Sequence, residues 1–223
     1  MSSEDQIDEK YIETLLINGK EVSRRKGTIE EIHDKAKKDE HILEPSYFSV
    51  PELPIPDITM IASKLTWEII KSGKPTIDAD DSALHVFSKK DSNWTNYVNS
   101  KKGESDKIQW KLDNLFGINC FDVIFKIITN YGAENPNVGG KWIPSTYVHF
   151  LKCSSRWPWN IEGKASVSPI INDGTSNEPI PVFTLTVNLA ANQGIITKRM
   201  LSYQFNIDGD KGIERIEDEF LNL

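Results

Sequence analysis

The feature that most constrains this chain is the two-residue alternation of two runs, Val182 to Leu189 and Ile195 to Ile207. Phe183, Leu185, Val187 and Leu189 fall on one face, and Thr184, Thr186 and Asn188 on the other. A half-buried antiparallel strand has this period and a helix does not. Asn192-Gln193-Gly194 offers residues suited to a reversing turn. The pattern then resumes with Leu201, Tyr203, Phe205 and Ile207 on one side and Lys198, Met200, Ser202, Gln204 and Asn206 on the other. Asp208-Gly209-Asp210-Lys211-Gly212 forms a second turn, and Ile213 to Leu221 returns with Ile216 and Phe220. These segments predict a three-strand meander with one apolar face that needs a cover.

Upstream, Phe121–Tyr131 carries Phe121, Val123, Phe125 and Ile127 in alternation, and 145–154 and 161–171 read as two further strands. The turn between them is Arg156-Trp157-Pro158-Trp159, whose two tryptophans suit a pocket rim or a contact patch. Other stretches carry helical spacing. Asp57 is placed to cap a helix to about Ser72, with Ile58, Ile61, Ala62, Leu65 and Ile69 as its stripe and Trp67 off it. A short helix is predicted over 78–87, and a longer one from Ser105 to Gly117 with Ile108, Leu112, Leu115 and Phe116 facing inward. Trp110 falls off that stripe, which leaves it either exposed or turned towards the N-terminal extension. The stretch 93–98, containing Trp94 and Tyr97, reads as a short strand.

Residues 1–56 form that extension and 57–223 the body. The first ten residues are an acidic tail. Leu15-Leu16-Ile17 and Lys20-Glu21-Val22 flank Asn18-Gly19, a type I′ hairpin signal. Thr28 and Glu31 have capping-box spacing and open a helix to about Glu40. The arm 45–56 holds four prolines among Tyr47, Phe48, Val50, Leu53 and Ile55, so it is extended; it packs on its own domain or on a partner.

Composition narrows the function classes. A net charge of −7 argues against nucleic acid, since phosphate binding needs clustered cations. The basic run 23–26 and Lys35–Lys38 read as solvated surface. No run of about 18 apolar residues predicts a membrane span. With no secretory signature at the start, Cys120 and Cys153 are expected to be reduced core thiols in a cytoplasmic protein. His33, His41, His85 and His149 show no metal-ligand spacing, and Gly139-Gly140 is no phosphate loop, so neither metal nor cofactor is expected.

The order of helices before strands predicts an α+β fold. With Leu84 to Trp94 ahead of a short strand, Gly103 to Ile108 opening a helix, and the ending Tyr203 to Gly209 followed by Ile213 to Ile216, residues 57–221 resemble the nuclear transport factor two-like superfamily. That superfamily includes ketosteroid isomerase, scytalone dehydratase and the SnoaL-like cyclases. The resemblance implies a bent sheet folded on helices as a cone, open at one end to a small apolar or aromatic molecule, with isomerase, dehydratase or cyclase chemistry and no cofactor. His149, Tyr203 and Tyr147 are the candidate catalytic groups, since an imidazole beside a phenol can move protons near neutrality. Trp67, His85, Tyr97, Phe125, Cys153 and Phe205 are the candidate ligand-binding set, and Asp81 stands near His85. His149 and Tyr203 equally suit structural roles. The alternative is a non-enzymatic interaction or assembly module using the sheet face and the proline-rich arm, with a homodimer through that face as one form.

Overall fold

The computed structural model describes residues 10–28, 31, 58–62, 66–71, 74–75, 83–193 and 197–216. They fold as two antiparallel sheets. The first contains β1 (Tyr11–Ile17), β2 (Lys20–Gly27), β3 (Ile58–Ala62), β6 (Ala83–Ser88), β7 (Lys101–Glu104), β8 (Ile108–Asn114), β9 (Asn119–Tyr131) and β10 (Ile143–Ser155). Its order is β2-β1-β8-β9-β10-β6-β3, with β7 also on β9. The second contains β4 (Thr66–Lys71), β5 (Lys74–Pro75), β11 (Trp159–Val167), β12 (Ile171–Asn172), β13 (Pro181–Gln193), β14 (Thr197–Asp208) and β15 (Gly212–Arg215). Its order is β15-β14-β13-β11-β4-β5, with β12 also on β13.

The predicted meander is present as β13-β14-β15, with Leu185 opposite Phe205 and Val187 opposite Tyr203. Its apolar face is covered by the first sheet. Phe125 on β9 lies 6.4 Å from the ring of Tyr203, and Phe121 lies 5.5 Å from that of Trp159. One hydrophobic cluster therefore joins the two sheets, with Trp110, Trp142, Phe121, Phe125, Phe183 and Phe205 fully enclosed.

The α+β expectation is overturned, and with it the helix-backed cone of the nuclear transport factor two-like fold. No helix of seven or more residues occurs among the described residues. The segment predicted as a helix over 57–72 contains β3 and β4, the one over 78–87 ends in β6, and the one over 105–117 is β8. Residues 108–114 show why. Ile108 and Leu112 are four apart and satisfy either period, but Ile108, Trp110 and Leu112 are all buried while Gln109, Lys111 and Asp113 are not. Trp110 is the residue that decides the period. The stretch 93–98 is a 3₁₀ turn, Trp94–Asn96, followed by a single bridge between Val98 and Glu134.

The N-terminal hairpin is β1-β2. Asn18 and Gly19 both take positive φ, 49° and 78°, as a type I′ turn requires. Two strands alone are marginal; here β1 pairs with β8 through seven residues, Tyr11–Ile17 against Asn114–Ile108. That docking sets Leu15 opposite Trp110, whose indole N–H donates to Glu13 Oε1 at 3.1 Å. Trp110 thus does meet the extension, from a strand. Thr28 and Glu31 make the reciprocal capping-box bonds, 2.8 Å and 3.2 Å; Asn192 and Gln193, predicted in a turn, belong to β13, while Gly194, the helix predicted beyond Glu31, the proline-rich arm and Phe220 lie outside the described residues.

Candidate functional site

The residues expected to form one pocket are distributed over three places. Tyr203, Phe125 and Phe205 lie in the core between the sheets, where they pack against one another and their neighbours. His149 and Tyr147 flank buried Val148 on β10, so alternation turns them to the outer face of the first sheet. Their rings meet edge-on at 6.5 Å. His149 and Tyr203 therefore share no face. Cys153 was expected beside His149, yet it packs on the core. The register of β10 against β9 slips between Phe150 and Lys152, leaving Leu151 as an extra residue, and a bulge of this kind turns the residues beyond it to the opposite face. Burial first, and the Asp122 carboxylate second, push the Cys153 thiol up to about 12.

His85 is half-buried on β6, where its Nδ1–H donates to the Pro144 carbonyl and its ring stacks on Phe87 at 5.9 Å. Tyr97 packs between Phe87 and Trp142, and its hydroxyl accepts from the Ser88 N–H at 3.0 Å and donates to the Asp91 carbonyl. Trp67 belongs to β4, opposite Gly163. Asp81 lies outside the described residues. Trp157 and Trp159 separate: Trp159 opens β11 facing the core, while Trp157 stays in the turn, 78% exposed.

Beside Tyr97, the Asp91 carboxylate accepts from the Asn96, Asn135 and Asn137 side-chain amides at 2.7, 2.9 and 3.3 Å and from the Asn93 N–H at 3.1 Å. Those bonds, led by Asn135, hold it at about 2 against an ordinary 3.8. Glu104 is likewise held at about 2, first by Lys102 and then by Lys126. A carboxyl depressed by folding stabilises the fold above its unfolded value and loses that contribution as pH falls through the folded one. The melting temperature should accordingly drop between about pH 4.5 and pH 2. The drop should be shallower in Asp91→Asn and Glu104→Gln, as followed by circular dichroism. Parallel curves for parent and variants would rule out these two groups as its source.

Two surface features remain; the sequence marks Trp157 of the first as a pocket rim or contact patch, and the other residues of both are not marked by it. The first is an apolar end. Leu115, Phe116 and Ile118 occupy the β8–β9 turn, with Phe116 89% exposed. The β10–β11 turn lies beside it, because the Arg156 N–H donates to the Cys120 carbonyl at 2.9 Å and Ser155 pairs with Phe121. Phe116 and Trp157 thus project from neighbouring turns at one end of the sandwich.

The second is a groove of about 490 Å³ on the outer face of the first sheet. Its floor is Ile12, Thr14 and Leu16 of β1, flanked by Glu21 and Arg24 of β2 and by Gln109, Lys111 and Asp113 of β8. The register arranges these in rows, Arg24-Thr14-Lys111, Glu21-Leu16-Gln109 and Ile12-Asp113, with Lys26 opposite Ile12 but not in the lining. Leu115 and Gly117 close the end nearest the apolar turns. Gln109, Lys111 and Asp113 are the polar half of the alternation that betrays β8, which is the signal that could have found them.

Among the described residues, no group of three or more His, Cys, Asp or Glu is placed to hold a metal, and no helix is long and apolar enough to cross a membrane. Comparison of the chain with models of protein families, with curated proteins and with solved structures finds no match.

Proposed function

We propose that this chain is a non-enzymatic protein-interaction module that docks on a partner by the end of the sandwich bearing Phe116 and Trp157. The observation that carries this reading is the exposure of those two rings, 89% and 78%, on adjacent turns. Large aromatic side chains left in water at one place are what a protein interface uses as anchors, because they bury much area at low entropic cost. Leu115 and Ile118, both part-exposed, extend the same patch. The separation of His149 from Tyr203 supports a binding role over acid–base catalysis. A cytoplasmic setting belongs to the same proposal.

The test is a photo-crosslinking amino acid installed in turn at positions 116 and 157, and at Ser202 on the outer face of β14 as control, in cells that make the protein. One shared protein adduct from 116 and 157, absent from 202 and lost in affinity capture with Phe116→Ser/Trp157→Ser, is the expected result. No adduct from either turn, or the same adducts from all three positions, would overturn the proposal.

A further inference from the structure

The outer groove of the first sheet has the chemistry of a peptide site, and its rows say which peptide. Adjacent strands lie about 4.8 Å apart, so the stems of Arg24 and Lys111 stand roughly 10 Å apart with Thr14 between them. Two cations thus face one hydroxyl at the middle of the groove. Apolar side chains lie at both ends, Leu16 at one and Ile12 with Leu115 at the other.

Of the three carboxylates that line the groove, Asp122 and Asp113 are held by closer partners than Glu21. Asp122 is buried beneath the groove, where Oδ1 accepts from Gln109 Nε2 at 2.8 Å and Oδ2 from Lys152 Nζ at 2.5 Å. Asp113 lies 2.7 Å from Lys111 Nζ. Among the described residues Arg24 has a loose contact alone, 3.9 Å to Glu21, and its side chain is 58% exposed. A guanidinium has five N–H donors and one distant carboxylate does not occupy them. The ammonium of Lys111 likewise has donors beyond the one directed at Asp113.

We infer that this groove binds an extended segment of a partner protein with the pattern apolar–x–acidic–x–apolar. In an extended chain every second side chain points the same way. The acidic group would sit over Thr14 between Arg24 and Lys111, and the two apolar groups would cover Leu16 on one side and Ile12 with Leu115 on the other. This rests on the interaction-module reading and supplies the partner's chemistry, since the groove opens beside the Phe116 turn.

The experiment is fluorescence polarisation of the full chain with three labelled pentapeptides, leucine-threonine-X-threonine-leucine, where X is aspartate, asparagine or lysine. The aspartate peptide should bind about tenfold more tightly than the lysine peptide, the scale of two exposed ion pairs gained against two repulsions. Arg24→Glu/Lys111→Glu should reverse the order, and Phe116→Ser/Trp157→Ser should leave it unchanged. If the charge-reversed variant is unfolded by its melt, the parent's preference for aspartate should instead collapse as salt is raised. The Thr14 methyl signal should also shift on adding the aspartate peptide. Equal binding of all three peptides, binding to none, or a preference indifferent to both charge reversal and salt would overturn the inference. Those results would leave the crosslinks at 116 and 157 as they are, so the groove can fail without the docking end.

Discussion

Removing Tyr11–Gly27 is expected to abolish cooperative folding, although the segment is a two-strand hairpin at the edge of a sheet. Tyr11, Leu15 and Ile17 are buried in the common core. Burying a large apolar side chain is worth about 1.5–3 kcal/mol, so the three together approach the whole stability of a typical domain, about 5–15 kcal/mol. The deletion also strips β8 of its neighbour. Ile108, Trp110 and Leu112 lose cover, and a row of unpaired backbone groups opens on a hydrophobic edge prone to association. Circular dichroism melts and light scattering of the truncated chain should show no sigmoidal transition and growing aggregates. A truncation that melts within a few degrees of the parent would show that the hairpin is an appendage.

The second large effect is expected from Trp110→Ala, at about 3–5 kcal/mol by urea denaturation. Trp110 is fully enclosed, its ring 4.7 Å from that of Phe121, and its N–H bonds to Glu13 inside the sheet. Truncation leaves a cavity where two strands and the opposing sheet converge, and takes from a buried carboxylate one of its donors. Glu13 keeps its ion pair with Arg25 at 3.4 Å, so the hydrogen-bond share is smaller than the cavity share. Trp110→Phe, which keeps most of the volume and drops the N–H, should therefore cost about 1–3 kcal/mol. Equal losses for the two variants would assign the effect to the hydrogen bond, and a loss below about 1 kcal/mol for Trp110→Ala would contradict the packing described.

Much of the second sheet was legible in the chain itself. Val182 to Leu189 and Leu201 to Ile207 each alternate, no helix can present that pattern on one face, and the Asp208–Gly212 turn fixes where β15 begins. The hairpin turn at Asn18-Gly19 is equally local, since it depends on two residues that tolerate positive φ. The strands β3, β4, β6 and β8, two of whose segments carry helical spacing, were not legible in the same way. Ile58, Ile61, Ala62, Leu65 and Ile69 fit a helical stripe, as do Ile108, Leu112 and Leu115, and such short apolar sets suit either period. Pairing with β6, β11 and β1 selects the strand, and those partners lie far away in sequence.

The surface sites depended still more on tertiary structure. Phe116 reads as a core residue by spacing, and it is exposed because β8 ends at Asn114 and the chain reverses beyond it. Cys153 changes face through one inserted residue, Leu151, and nothing in the sequence of β10 marks the slip. Arg24 and Lys111 lie 87 positions apart and share a groove only because both strands pair with β1 at Thr14. Alternation is a property of neighbouring residues and survives in the sequence. Register is a property of two strands together, and only the folded chain decides it.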